Sequence, residues 1–235
     1  NQKYNKTLIV SEKLDGVSLL IYINNYKLQI FTRGNGYIGQ NVTKLFINTN
    51  IIPNLSHIKN IVVRGELILP KEYKSNSNLR NLVSGYINSK EQNKDLIKDI
   101  KFIAYSLINI DNDYLDEKSS LNTYNYLDRF QLLEKLEFIT PIYTIINDLN
   151  KITDPSLFFS KLLTDWRTKN KYEIDGLVIS YNIYEQIEIG KNPSYSKAFK
   201  TIIVDQIAET NIKYIEWNIS KDNYLNPTII IEPVI

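Results

Sequence analysis

The sequence predicts an α+β core followed by the first strands of a second β unit. Three patterns carry this reading. Short runs rich in β-branched and aromatic residues recur from Leu8 to Leu107 and again from Glu173. Two segments, Tyr124 to Leu136 and Pro155 to Trp166, set apolar residues at helical spacing. From Thr210 the texture changes to two more strand-like runs around a polar turn. The boundaries expected from this are a core over residues 1–205 and a β unit over 206–235.

The apolar run Leu8-Ile9-Val10 leads into Ser11-Glu12-Lys13-Leu14-Asp15-Gly16, and Val17 to Ile21 follows. A charged stretch between two apolar runs puts Lys13 at a strand end opening into a mostly buried sheet. There it is either part of a solvated hairpin or a partly desolvated lysine, and desolvation frees an amine's lone pair. Val17 to Ile23, a turn at Asn24-Asn25 and Lys27 to Thr32 read as a β-hairpin. In Thr32-Arg33-Gly34-Asn35-Gly36-Tyr37-Ile38-Gly39, three glycines within six residues mark a tight loop or a close approach to a ligand. Gln40 to Phe46 is read as a short helix.

Ile61 to Leu69 is a strand ended by Pro70, with Arg64 and Glu66 set into an apolar run. Burying them is costly unless they pair or meet a ligand. Asn78-Leu79-Arg80-Asn81 opens a polar stretch, and Lys101 to Leu107 is a strand with Tyr105 near its end. The helix of Tyr124 to Leu136 turns Tyr126, Leu127, Phe130, Leu133 and Leu136 to one side. Glu173 to Ile179 is a strand opened by an acidic pair, and Tyr195 to Lys200 sets Lys197 and Lys200 three apart. Ile212 to Ile219, a turn around Lys221-Asp222-Asn223, and Thr228 to Ile231 form the last unit. Two strands cannot close a barrel, so this unit is expected to be incomplete.

Composition narrows the chemistry. At 235 residues the chain is long enough for one sizeable domain, with 43% apolar and 23% charged residues. There is no cysteine, which excludes disulfides and thiolate metal sites. The single histidine, His57, lies in a polar loop and cannot build a histidine zinc centre. No apolar run approaches the roughly 20 residues of a membrane span, no signal peptide is visible, and an intracellular, non-membrane protein is expected. The net charge of +2 neither demands nor forbids nucleic acid. The chain has no methionine, so it is expected to be a piece of a longer protein.

The order of the motifs is more telling than any one of them. Lys13-x-Asp15-Gly16, the segment Thr32 to Thr43, Arg64-Gly65-Glu66, Asn78-x-Arg80-Asn81, Glu173 to Ile179 and Ala198-Phe199-Lys200 follow one another as in a known series. It resembles the adenylation domain of NAD-dependent DNA ligases, a DNA ligase/mRNA capping enzyme-type nucleotidyltransferase core. Trp217 to Ser220, Leu225 to Thr228 and Glu232-Pro233-Val234 resemble the start of that family's OB-fold barrel. The Thr32 to Thr43 segment favours the NAD-dependent branch over the ATP-dependent one.

The resemblance implies a ligase that adenylates itself on Lys13 with NAD, passes AMP to the 5′-phosphate of nicked double-stranded DNA, and seals the break. It implies Arg33 and Lys200 as cations that favour the free amine and bind phosphate, and Asp175 as the essential carboxylate facing the lysine. Glu66 would contact ribose or, with Asp175, place Mg²⁺; Asp15 would order the turn and a ribose or metal-bound water. Tyr105 and Val178 would sandwich adenine, Arg80 would contact phosphate at the nick, and Lys197 would supply a further phosphate contact. A monomer is expected. The rivals are an ATP-dependent polynucleotide ligase or capping-type nucleotidyltransferase, and an inactive fragment that binds AMP or nicks.

Some positions depart from the family. A carboxylate two before the lysine is replaced by Ser11, with Glu12 displaced by one. A lysine five after the strand aspartate is replaced by Ser180, and a frequent acidic residue by Asn35. Twelve residues precede Lys13, so the helical domain that holds nicotinamide mononucleotide in relatives is expected to lie outside this sequence, like the modules that follow their OB domain.

Overall fold

A computed structural model describes residues 7–75, 77–89, 93–115, 120–184, 193–201, 209–220 and 223–234. The chain divides into two compact units, Asn1–Lys200 and Thr201–Ile235. The boundary expected at 205/206 and the turn residues Lys221 and Asp222 lie outside the described residues.

The first unit contains β1 (Leu8–Leu14), β2 (Val17–Asn24), β3 (Lys27–Thr32), β4 (Ile61–Ile68), β5 (Lys101–Ile110), β6 (Tyr143–Ile146), β7 (Ile174–Tyr181) and β8 (Ser196–Phe199). They form two antiparallel sheets of four strands, ordered β6-β1-β7-β8 and β3-β2-β4-β5. The helices are α1 (Thr43–Phe46), α2 (Leu79–Asn88), α3 (Leu96–Asp99), α4 (Tyr126–Lys135) and α5 (Pro155–Lys169).

The alternation in β4 explains the β2 sheet. Val63, Gly65 and Leu67 face the larger core, where Phe46 of α1, Val83 and Tyr86 of α2 and Leu133 of α4 cover them. Arg64 and Glu66 take the opposite face, since successive residues of a strand alternate. Glu66 pairs across the ladder with Ser18, and Arg64 with Leu20. A charged pair in an apolar run is therefore the second face of a two-sided strand. Beneath the β1 sheet a smaller core joins Val10, Leu14 and Leu177 to Phe159 and Leu163 of α5. On the other face, α4 lays Phe130 against Tyr143, with ring centroids 5.4 Å apart, and Tyr126 against Tyr195 at 5.8 Å.

Local signals set the element ends. Asn125 and Asp128 form a capping box that starts α4, and the Asp154 side chain accepts from the Leu157 N–H to start α5 at Pro155. The hairpin turn is shifted by one residue from the sequence expectation. Asn24 still pairs with Lys27, leaving Asn25 and Tyr26 as the two-residue loop, both with positive φ (48° and 63°). That is the twist-matched geometry for a two-residue hairpin. Only Thr43–Phe46 of the expected Gln40 to Phe46 helix is helical. The Gln40 N–H is taken by Thr32 Oγ1, and Asn41 bridges to Phe31. The polar stretch at Asn78 proves to be a helix start, its side chain accepting from the Asn81 N–H.

The second unit is the antiparallel pair β9 (Ile212–Ile219) and β10 (Leu225–Ile231). β10 begins earlier than the expected Thr228 and includes Pro227. Apolar side chains are exposed along both strands, Trp217 and Ile219 among them. Among the described residues no helix is long and apolar enough to cross a membrane.

Candidate active site

Lys13 lies one residue before the end of β1, where the ladder with β7 slips. Lys13 pairs with Gly176 but Leu14 pairs with Ile174, so Asp175 is the extra residue of a bulge. A bulge re-aims the side chain that a regular strand would turn away. The Asp175 carboxylate meets Lys13 Nζ at 2.8 and 2.9 Å through its two oxygens. Lys200, just past β8, donates to Asp175 Oδ2 at 2.8 Å. Partial burial pushes Asp175 up, but hydrogen bonds from Lys13 and Lys200 outweigh it and hold the carboxyl below its ordinary value. One carboxylate thus holds two ammonium groups, and the trio carries a net positive charge that suits a phosphate.

Around the trio stand three further groups. Arg80, at the start of α2, donates to Asp15 Oδ1 at 2.8 Å, and both are partly exposed. Glu66 is pushed up to about 7, first by burial, against the pull of Arg80, Lys13 and the Gly16 N–H. Among the described residues no ion pair joins Glu66 to Arg64, so mutual pairing does not account for them. Tyr105 Oη lies 2.8 Å from Ser18 Oγ on the same face as Glu66, and burial followed by the Glu66 charge pushes its hydroxyl up to about 12. The Arg64 and Arg33 charges work against that rise. Among the described residues the Arg33 side chain makes no hydrogen bond or ion pair.

Val178 lies between Ser11 and Ala198 in the ladder, so these three side chains share one face of the β1 sheet. Lys197 pairs with Ile179 and takes the opposite face, away from Val178 and Ser180.

The family signature of the NAD-dependent DNA ligase adenylation domain matches residues 1–201, a span that holds all of these groups. The chain belongs to this family. Its relatives include the DNA ligase of Acanthamoeba polyphaga mimivirus, 34% identical over 97% of this chain and 34% of that protein. The DNA ligase of Lachnoclostridium phytofermentans is 28% identical over 98% of this chain and 36% of its own length. The chain thus spans about a third of the length of the curated relatives it matches. Among solved structures, Pmar-Lig_Pre superposes with a TM-score of 0.59 at 19% identity, covering 99% of this chain and 50% of its own. That likeness establishes the mixed α/β nucleotidyltransferase-type fold with antiparallel sheets.

The departures from the ligase pattern resolve into two places. Glu12, on the opposite face of β1 from Lys13, is buried. Its carboxylate accepts from the Ile142 N–H at 3.1 Å and from Asn170 Nδ2. It does not take over the position left by Ser11. Ser11 and Ser180 are buried on the Val178 face, where the Tyr126 hydroxyl hydrogen-bonds both and Ser180 Oγ lies 2.5 Å from Ser196 Oγ. Hydroxyls that both donate and accept satisfy one another there without any charge.

Glu12 makes stability depend on pH. Burial, opposed by the Ile142 and Asn170 hydrogen bonds and by Lys71, pushes it from 4.5 up to about 7. Between those values the folded chain holds a proton that the unfolded chain has lost. This carboxyl's contribution therefore falls as pH rises from 4.5 to 7 and stays low above. In urea titrations, the stability of wild type relative to Glu12→Gln is expected to be higher at pH 5 than at pH 8. A constant difference would show that Glu12 ionises normally.

Two supports of the site escape sequence reading. Arg167, in the last turn of α5, donates through Nε to the Ile174 carbonyl and through Nη2 to the Asp175 carbonyl, both at 3.2 Å. It grips the backbone of the bulge that aims Asp175. β6, with its β-branched run at Ile142 to Ile146, gives β1 a second neighbour. That run was a usable signal; Arg167 left none.

A Mg²⁺ ion fits this donor set unevenly. Glu66 is a half-buried carboxylate with no ion pair on it among the described residues, which suits a divalent cation. Asp175 has both oxygens engaged by lysines. No cluster of three acidic or histidine ligands occurs among the described residues.

Proposed function

We propose that the chain is the nucleotidyltransferase part of an NAD-dependent DNA ligase and that Lys13 is its nucleophile. The observation that carries this reading is Lys13 Nζ held on Asp175 beside Lys200, within a family match spanning residues 1–201. In the first step Lys13 Nζ gives a proton to solvent, and the free amine attacks the α-phosphorus of NAD, its nitrogen losing a further proton to solvent. A P–N bond forms, and the P–O bond to nicotinamide mononucleotide breaks. In the second, the 5′-phosphate at a DNA nick displaces the lysine and takes the AMP. In the third, the 3′-hydroxyl attacks that phosphate, AMP leaves, and the strand is closed.

Each side chain then has a task. Asp175 orients Lys13 Nζ, and Lys200 binds the oxygens that gain charge in the transition state. Arg33, whose side chain makes no hydrogen bond or ion pair among the described residues, is a second phosphate cation. Tyr105 and Val178 present the apolar walls for adenine. Asp15 sets the turn after Lys13 through Arg80, which turns its exposed side to the DNA phosphate. Lys197, on the far face, contributes to backbone binding rather than to the chemistry. Glu66, and Asp175 if freed from its lysines, would hold a Mg²⁺ ion, which would supply charge neutralisation. Residues 1–205 form the adenylation domain, and the exposed apolar strands of 206–235 suit the first hairpin of an OB-fold barrel. The protein acts inside the cell as a monomer.

The donor is tested by intact mass after incubation with Mg²⁺ and either NAD or ATP. A gain of one AMP from NAD alone is expected. Labelling from ATP alone would move the protein to the ATP-dependent ligases.

A further inference from the structure

The glycine loop between Thr32 and Gln40 is more ordered than its composition suggests. Its neck is closed by Thr32 N–H to the Gln40 carbonyl at 2.9 Å and Gln40 N–H to Thr32 Oγ1 at 3.0 Å. Inside, the Asn35 side chain accepts from the N–H groups of Tyr37 and Ile38 at 3.0 and 2.8 Å, and Gly36 N–H reaches the Arg33 carbonyl at 2.9 Å. Gly34 has φ +52°, and a Cβ there would lie 1.7 Å from the Ile38 carbonyl oxygen. A Cβ on Gly39 would lie 1.9 Å from the Thr32 carbonyl oxygen. The glycines let the backbone fold back on itself, and the loop satisfies its own polar groups.

What this frame displays is apolar. Tyr37 and Ile38 are 81% and 75% exposed, and no hydrogen bond of the loop uses either side chain. A rigid loop that holds two large apolar side chains in water gains nothing for folding from them. Its place is informative. β3 returns to the end of the sheet where β2 begins, directly after Gly16, and the Arg33 N–H donates to the Ser18 carbonyl. The tip therefore rises from the same end of the first unit that carries Lys13, Arg33, Arg80 and Lys200.

We propose that Tyr37 and Ile38 form an apolar tip that packs against the sugars and base edges of nicked duplex DNA, beside the phosphate assigned to Arg80. The proposal rests on the reading of nicked DNA as the substrate. The chemistry favours a duplex: Arg80, at the same end, is assigned to a DNA phosphate, and sugars and groove edges are the surfaces of DNA that an apolar tip can cover. The loop is pre-ordered, so the contact does not require the backbone to lose further freedom on binding.

The test is fluorescence anisotropy of the full chain on a nicked duplex at several salt concentrations, for wild type and the Tyr37→Ser/Ile38→Ser double variant. Affinity of the variant is expected to fall on the order of tenfold at every salt concentration, as removal of two apolar contacts implies. The slope of log K against log salt should not change, because no phosphate contact is lost. Tyr37→Phe should keep the affinity, and the double variant should still adenylate itself. Unchanged affinity in the double variant overturns the proposal and assigns the tip to a protein partner. A changed salt slope also overturns it. Failure of wild type to bind nicked DNA sinks both the tip and the substrate reading, whereas DNA binding without self-adenylation, even with the nicotinamide-binding domain of a relative supplied, sinks the ligase reading alone.

Discussion

Lys13→Ala abolishes self-adenylation. Incubated with Mg²⁺ and NAD, wild type gains the mass of one AMP, about 329 Da, as nucleophilic catalysis through a covalent nucleotidyl intermediate requires. The variant gains nothing. Alanine has no group that can form the P–N bond, and the neighbouring Lys200, whose Nζ donates to Asp175 Oδ2, is assigned to the phosphate oxygens. Closure of a nick that already carries AMP on its 5′-phosphate needs no lysine nucleophile. It is therefore expected to fall far less than the first step. Full labelling of the variant would move the nucleophile elsewhere.

Asp175→Asn is the second large effect. The amide keeps an acceptor oxygen but loses the negative charge that holds the two lysines together, so the trio's charge rises by one. The rate of self-adenylation is expected to drop by about 100-fold, the scale on which one preorganised polar group acts in such sites, with a smaller change in KM. The same substitution has an acid signature. Because its partners hold the Asp175 carboxyl below 3.8, its contribution to stability is fully present above that value. It is lost as pH falls through the lower folded-state value. Denaturation at pH 7 and pH 3 should show wild type losing its advantage over the variant in acid. Normal adenylation by the variant would remove Asp175 from the chemistry.

The parts of the fold with local causes were legible in the chain. Alternation in Ile61 to Leu69 and the helical spacing of Tyr126, Phe130 and Leu133 are properties of a few consecutive residues. The positive φ at Asn25 and Tyr26 shifted a turn by one place, and only the pairing of Asn24 with Lys27 decides such a shift. The site was legible as a list of residues in order, not as an arrangement. That Asp175 turns towards Lys13 depends on a slipped ladder and on Arg167 gripping the bulge, both set by pairings distant in sequence. Glu12 illustrates the same limit: its neighbour is the proposed nucleophile, yet strand alternation sends its carboxylate to Ile142 and Asn170 on the other side.

The wide separation of β1 from its neighbours bears on how the protein is born. Lys13 and Asp175 are 162 positions apart, and β1 pairs only with β6 and β7. The ribosome makes the strand carrying the lysine well before its partners β6 and β7. At roughly 5–20 residues per second, an apolar strand waits on the order of ten seconds or more for its neighbours. The β2-β3 hairpin and the strands that flank it need only the first half of the chain. The β1 sheet should therefore close late in synthesis, and a nascent chain halted before β7 holds the lysine without the carboxylate that aims it.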